Sequence, residues 1–91
     1  MEHKIINYNL DKILPLILCP LSKKIFYDPV VASDNNVYER KALLNYIDQH
    51  GYHSPLTGKQ IFNEYYPVLP LKTFIDELLK VHKHLDILRY M

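Results

Sequence analysis

Apolar positions fall at helical spacing in two stretches of the chain. From Glu39 to Gln49, Arg40, Leu43, Leu44 and Ile47 share one face by the i, i+3, i+4, i+7 rule. Glu39 suits the positive end of that helix, and Gly51 after His50 suits the C′ position. Tyr46 lies on a different azimuth from Leu43 and Ile47 and is expected to face outward. A second helix is predicted from Leu71 onward, where Leu71, Phe74, Ile75, Leu78, Leu79, His82, Leu85 and Leu88 form one stripe. Lys72, Asp76, Lys80, Lys83 and Asp86 fall elsewhere on it. This stripe runs past what a small domain needs, which leaves its end for a partner, a second copy or a further domain.

Between and before these helices the pattern is irregular and punctuated by proline. Residues 19–28 lack alternation and end in Asp28-Pro29, which holds Asp28 extended, so a loop is predicted to pass into a strand at Val30-Val31-Ala32. Ser33-Asp34-Asn35-Asn36 is turn chemistry, and Val37-Tyr38 returns as the second strand of a hairpin. Residues 52–63 form a second loop, and Tyr65 to Leu69 is expected to be extended because of Pro67 and Pro70. At the start, Asn9 caps a short helix through Leu14 that Pro15 stops, and Ile13, Leu16 and Leu18 cover the core. Ile25, Val30, Leu43, Ile47, Leu69, Phe74 and Leu78 are the expected core.

Composition narrows the function classes. The chain has 91 residues, 48% of them hydrophobic, with 8 Tyr and 3 Phe, which is one globular domain with a marginal core. A net charge of +1 with dispersed Lys and Arg lacks the basic patch that nucleic acid requires. The single cysteine permits no internal disulfide and fits a reducing compartment. The apolar run Ile13 to Leu18 is too short to cross a bilayer, and no signal-peptide pattern opens the chain.

Several chemistries lack their residues. A structural zinc needs four Cys or His ligands. Here Cys19 stands alone, and His3, His50, His53, His82 and His84 include only His50-x-x-His53 and His82-x-His84 as close pairs. No metal and no cofactor are expected. Cys19 has no neighbouring His or cationic cluster to activate it and reads as a buried small hydrophobe. With 2 glycines in the chain, a backbone phosphate cradle is implausible.

The order Cys19-Pro20-Leu21-Ser22, Ile25-Phe26, Asp28-Pro29-Val30-Val31, a turn, Tyr38-Glu39-Arg40, a helix, Pro55-Leu56-Thr57-Gly58, then Leu69-Pro70 before a final helix resembles the U-box family. The match covers residue 19 to about 79, so the chain divides into an N-terminal arm (1–18), the U-box (19–79) and a C-terminal helix extension (80–91). What the resemblance implies is an α+β, RING-like fold without zinc: a short β-hairpin, a central helix, two ordered loops and a long C-terminal helix. It also implies a non-covalent ubiquitin ligase scaffold, which binds a ubiquitin-conjugating enzyme charged with ubiquitin and promotes transfer to a substrate lysine. Such a fold must fix its loops by hydrogen bonds where zinc would supply on the order of 10–16 kcal/mol. Ser33, Asp34, Glu39, Arg40, Ser54 and Thr57 flank the loops and are the candidates for that network.

Carried over residue by residue, the family's docking surface implies Leu21 and Lys23 in the first loop, Tyr46 on the central helix, and Pro55, Leu56, Thr57, Gly58 and Lys59 in the second loop. Lys23 departs from a commonly apolar position, although its methylene stem suits a groove. Gly58 stands where some active members carry a basic residue, with Lys59 one step away. Leu71 replaces the Asn common after the final Pro, which removes a helix cap. The alternatives are an adaptor that binds a partner without activating transfer, and a homodimerisation module built on the C-terminal stripe. Cytoplasmic action, including a host cytosol reached by a secreted effector, follows from the ubiquitin system alone.

Overall fold

Asp28-Pro29 and the Ser33–Asn36 turn give the hairpin that positions everything else. In the computed structural model, which describes residues 10–90, β1 is Pro29–Ala32 and β2 is Val37–Glu39. They pair antiparallel with Val30 opposite Tyr38. Asn35 takes the left-handed conformation at φ 66°, and the Asp34 carboxylate accepts the Asn36 amide at 3.0 Å. The stretch expected only to be extended supplies a third strand, β3 (Tyr65–Pro67), which pairs antiparallel with β1 and gives the order β2-β1-β3. Pro29 sits in the central strand at its first residue, where a missing N–H is tolerated. Its carbonyl accepts the Val68 amide at 3.0 Å.

The helices preceding and following the sheet differ in detail from the sequence expectation. The first, α1 (Leu10–Ile17), runs through Pro15, where a stop was expected. Proline removes one backbone donor there, and the apolar face of Leu10, Ile13, Leu14 and Ile17 packs on the core. Leu16, expected to cover the core, is exposed. The Asn9 cap lies outside the described residues. The central helix, α2 (Arg40–His50), ends on Gly51 at φ 82°, whose amide donates to the Ile47 carbonyl at 2.7 Å. Leu43 is buried with Ala42 and Ile47 packed against the core, Tyr46 is half-buried, and Leu44 turns to solvent.

The final helix is not continuous. α3 (Leu69–Val81) opens with Pro70 in its first turn, where proline is tolerated, and buries Ile75, Leu78 and Leu79. His82 leaves helical geometry at ψ 68°, a 3₁₀ turn follows at Lys83–Asp86, and α4 is only Ile87–Tyr90. A straight helix gains about 1.5 Å per residue and would carry Leu88 roughly 10 Å past Val81. The break folds Leu85 and Leu88 back on the core. The end of the stripe, Leu85 and Leu88, expected to be left for a partner or a second copy, therefore packs inside the domain. Leu69 and Phe74, expected in the core, are 60% and 40% exposed, since the buried arc of α3 is centred on Ile75, Leu78 and Leu79. One cluster remains as the core, with Ile17, Cys19, Ile25, Phe26, Val30, Tyr38 and Leu43 against the face of α3 and Leu85.

Candidate docking site

Two loops flank α2, and each is braced separately against the hairpin. In the first, residues 18–28, the Cys19 thiol is buried and its Sγ accepts the amides of Leu21 and Ser22 at 3.4 Å and of Glu39 at 3.3 Å. The Lys23 amide closes a turn on the Cys19 carbonyl at 2.8 Å, with Lys23 itself at φ 64°. Glu39 makes no side-chain cap for α2. Its carboxylate instead accepts the Tyr27 amide at 2.9 Å and the Asp28 amide at 3.1 Å. Asp28 is held in turn by Arg40, whose Nε donates to Oδ2 at 2.7 Å while its guanidinium lies 5.5 Å from the centre of the Tyr65 ring.

The second loop hangs on Ser54, which is 1% exposed. Its hydroxyl donates to Asp34 Oδ2 at 2.6 Å and accepts the amides of Leu56 and Thr57 at 3.1 and 3.0 Å. The Tyr38 phenol donates to the same Asp34 oxygen at 2.6 Å. Backbone bonds close the loop, from Gly58 to the Ser54 carbonyl at 2.9 Å and from Ser54 to the Lys59 carbonyl at 2.7 Å. Burial opposes the Asp34 charge, but the bonds from Ser54, Tyr38 and Asn36 outweigh it and hold the carboxyl below its ordinary 3.8. Burial, reinforced by the Asp34 carboxylate, pushes the Tyr38 phenol up to about 12.

Strand geometry explains the division of labour. Adjacent residues of β2 point to opposite sides, so Tyr38 serves the second loop and Glu39 the first. The six residues selected from sequence do not form one network. Asp34 and Ser54 share a cluster, Glu39 and Arg40 act on the first loop, Ser33 accepts the Phe62 amide at 2.9 Å, and Thr57 bonds within its own loop, its amide to Ser54 and its hydroxyl accepting from Lys59. Sequence reasoning missed Tyr38, Asp28 and the acceptor role of Cys19. The one sequence signal for Cys19 was Pro20 after it, since a turn there aims the following amides back at the sulfur.

The residues carried over as a docking surface differ in accessibility. Leu56 is 51% exposed, and Thr57, Gly58 and Lys59 are open to solvent beside half-buried Pro55. Leu21 is half-buried against the core and Lys23 is exposed. Tyr46, expected to face outward, is half-buried with its ring 4.3 Å from that of His50. Gly58 stands at φ 76°, with open space where a Cβ would be. Among the described residues no group of three or more His, Cys, Asp or Glu can hold a metal ion, and no helix is long and apolar enough to cross a membrane. His3 lies outside the described residues.

A family model for the U-box domain matches residues 13–84. Similar proteins include the human WD repeat, SAM and U-box domain-containing protein 1, 33% identical over 67 residues, covering 72% of this chain and 14% of that protein. The putative U-box domain-containing protein 42 and the U-box domain-containing protein 56 of Arabidopsis thaliana are 34% and 33% identical, over 66% and 71% of this chain and 6% and 18% of theirs. The chain thus spans less than a fifth of the length of these relatives. With its two braced loops around one helix and its match along most of the length, the chain belongs to the U-box domain family.

Proposed function

We propose that this domain is a ubiquitin ligase module that binds a ubiquitin-conjugating enzyme and promotes transfer of its thioester-linked ubiquitin to a substrate lysine. The U-box family is known as a ubiquitin ligase module, which supports this reading. Leu21, Lys23 and Tyr46, with Pro55, Leu56, Thr57, Gly58 and Lys59, form the docking surface. The module acts by positioning: it orders the charged enzyme for attack, and none of its side chains exchanges a proton or forms a covalent bond. It works in the cytosol, where the charged enzyme is available.

The observation that carries this reading is the contrast within the second loop. Ser54 is buried and bonded to Asp34, while Leu56, two residues on, is 51% exposed. An apolar tip held by an anchored backbone loses little entropy on binding, which is what a docking residue requires. The test is autoubiquitination against a panel of conjugating enzymes. Conjugates are expected with at least one of them, and should fall about tenfold or more in Leu56→Ala.

Gly58 favours a second reading, an adaptor that binds without activating transfer. Its left-handed backbone, φ 76°, suits glycine and leaves no side chain where some active relatives present a cation. Lys59 is exposed beside it and is the residue that takes that role in the leading reading. Binding of a conjugating enzyme without faster ubiquitin transfer would select the adaptor.

A further inference from the structure

The family match ends at residue 84, yet the first loop is also held from beyond that point, by Leu88 and Arg89, as well as by the Ile17 carbonyl of α1, which accepts the Phe26 amide at 2.9 Å. The Leu88 carbonyl accepts the Ile25 amide at 2.9 Å. The Arg89 side chain, 8% exposed, donates from Nε to the Phe26 carbonyl at 3.1 Å and from a terminal nitrogen to Asp76 Oδ1 at 2.8 Å. Its guanidinium also lies 5.0 Å from the centre of the Tyr27 ring. Three consecutive residues on the descending limb of the first loop are thus held by two consecutive residues of the C-terminal turn.

The other end of this clamp is fixed to the body of the domain. Asp76 belongs to α3 and is shared with Lys72, whose Nζ lies 3.1 Å from Oδ2 and 5.1 Å from the centre of the Tyr27 ring. Lys72 reaches the loop from α3 over the Tyr27 ring, and Arg89 joins Asp76 of α3 to the loop backbone at the Phe26 carbonyl. A planar guanidinium suits this place, because it can bond a carbonyl and a carboxylate in different directions and stack on an aromatic face at once. A lysine ammonium carries the charge but not the fork. An open cleft of about 440 Å³ lies alongside, lined by Ser22, Lys24 and Tyr27 of the loop, Lys41 and Asn45 of α2, and Arg89.

We infer that Arg89 is a positioning residue for conjugating-enzyme docking: it sets the first loop, and with it Leu21 and Lys23, through the Phe26 carbonyl and Asp76. This rests on the ligase reading above. It extends the functional unit past the family match, to the C-terminal turn.

The test compares wild type, Arg89→Gln and Arg89→Lys, each as the full chain and at a temperature where all three are folded. Ubiquitin discharge is followed against conjugating-enzyme concentration, and amide hydrogen exchange is read residue by residue. In Arg89→Gln the KM for the conjugating enzyme should rise about fivefold or more with kcat within about twofold. Exchange at Ile25, whose amide is bonded to the Leu88 carbonyl, should quicken about tenfold while Ser54 and Gly58 stay unchanged. Arg89→Lys should recover less than half of the KM change, since charge without the fork does not restore the clamp. An unchanged KM overturns the inference, as does full recovery in Arg89→Lys, or exchange rising equally in both loops. Wild type that discharges no conjugating enzyme overturns the ligase reading and this inference together, whereas a discharging wild type with an unaltered Arg89→Gln overturns this inference alone.

Discussion

The Ser54 hydroxyl reaches the Asp34 carboxylate at 2.6 Å across 20 residues of chain, and this bond fastens the second loop to the hairpin turn. The same oxygen receives the Tyr38 phenol. Hydrogen bonds to a charged group contribute about 1.5–3 kcal/mol each. No single one replaces a metal ion, so the domain distributes the task over Asp34, Glu39, Asp28 and the Cys19 sulfur. Ser54→Ala removes the bond and strands the Leu56 and Thr57 amides, and should cost about 2–3 kcal/mol in urea denaturation. Tyr38→Phe and Ser54→Ala should be non-additive by at least about 0.5 kcal/mol, because both act on one oxygen.

Stability should fall on the alkaline side through Tyr38. Its folded value of about 12 lies above the ordinary 10.0, so the folded state keeps a proton that the unfolded chain releases. The stabilisation is complete below pH 10 and is lost as pH rises toward about 12, by roughly 2–3 kcal/mol in all. Tyr38→Phe should abolish that dependence in denaturation curves taken between pH 9 and 11.5 (a range on the order of that set by the two values).

The acid side carries the opposite sign. Asp34 lies below 3.8 through its hydrogen bonds, which outweigh burial, and Asp76 lies below it chiefly through Arg89. Their contribution is complete above 3.8 and is lost as pH falls through the lower folded values. Asp34→Asn should therefore be less stable than wild type at neutral pH, and the difference should shrink on acidification below 3.8.

Cys19 is a buried acceptor for the amides of Leu21, Ser22 and Glu39. Cys19→Ala should cost about 1–3 kcal/mol by leaving those donors unpaired. Labelling of the native thiol by a maleimide should proceed only at the rate of unfolding. A zinc chelator should leave the melting temperature unchanged.

Leu43 and Leu56 separate core from surface. Leu43 is 1% exposed and Leu56 51%. Leu43→Ala should destabilise by about 2–5 kcal/mol. Leu56→Ala should leave thermal unfolding within about 0.5 kcal/mol of wild type while weakening conjugating-enzyme binding by about 1–3 kcal/mol, measured by calorimetry.

Local chemistry was legible in the sequence. Asp28-Pro29, the Asp34-Asn35-Asn36 turn and Gly51 each act through their own backbone, and the hairpin and the end of α2 follow from them. The tertiary choices were not. Spacing could not say which arc of α3 meets the sheet, and Ile75 and Leu79 take the core while Phe74 and Leu69 turn to solvent. Nor could periodicity reveal the break at His82, because Leu85 and Leu88 keep helical spacing whether the helix continues or turns back. For the candidate site, sequence supplied the residue types of both loops. It did not supply the opposite-face division between Tyr38 and Glu39, or the reach of Arg89 across 63 residues to Phe26.

Single-turnover discharge of a conjugating enzyme charged with ubiquitin, with free lysine as acceptor and a zinc chelator present, tests the central claim most directly. The expected result is acceleration by the wild-type domain that the chelator does not alter, with the acceleration lost in Leu56→Ala at an unchanged melting temperature. Acceleration that vanishes on chelation, or none with any enzyme of a broad panel, would contradict it.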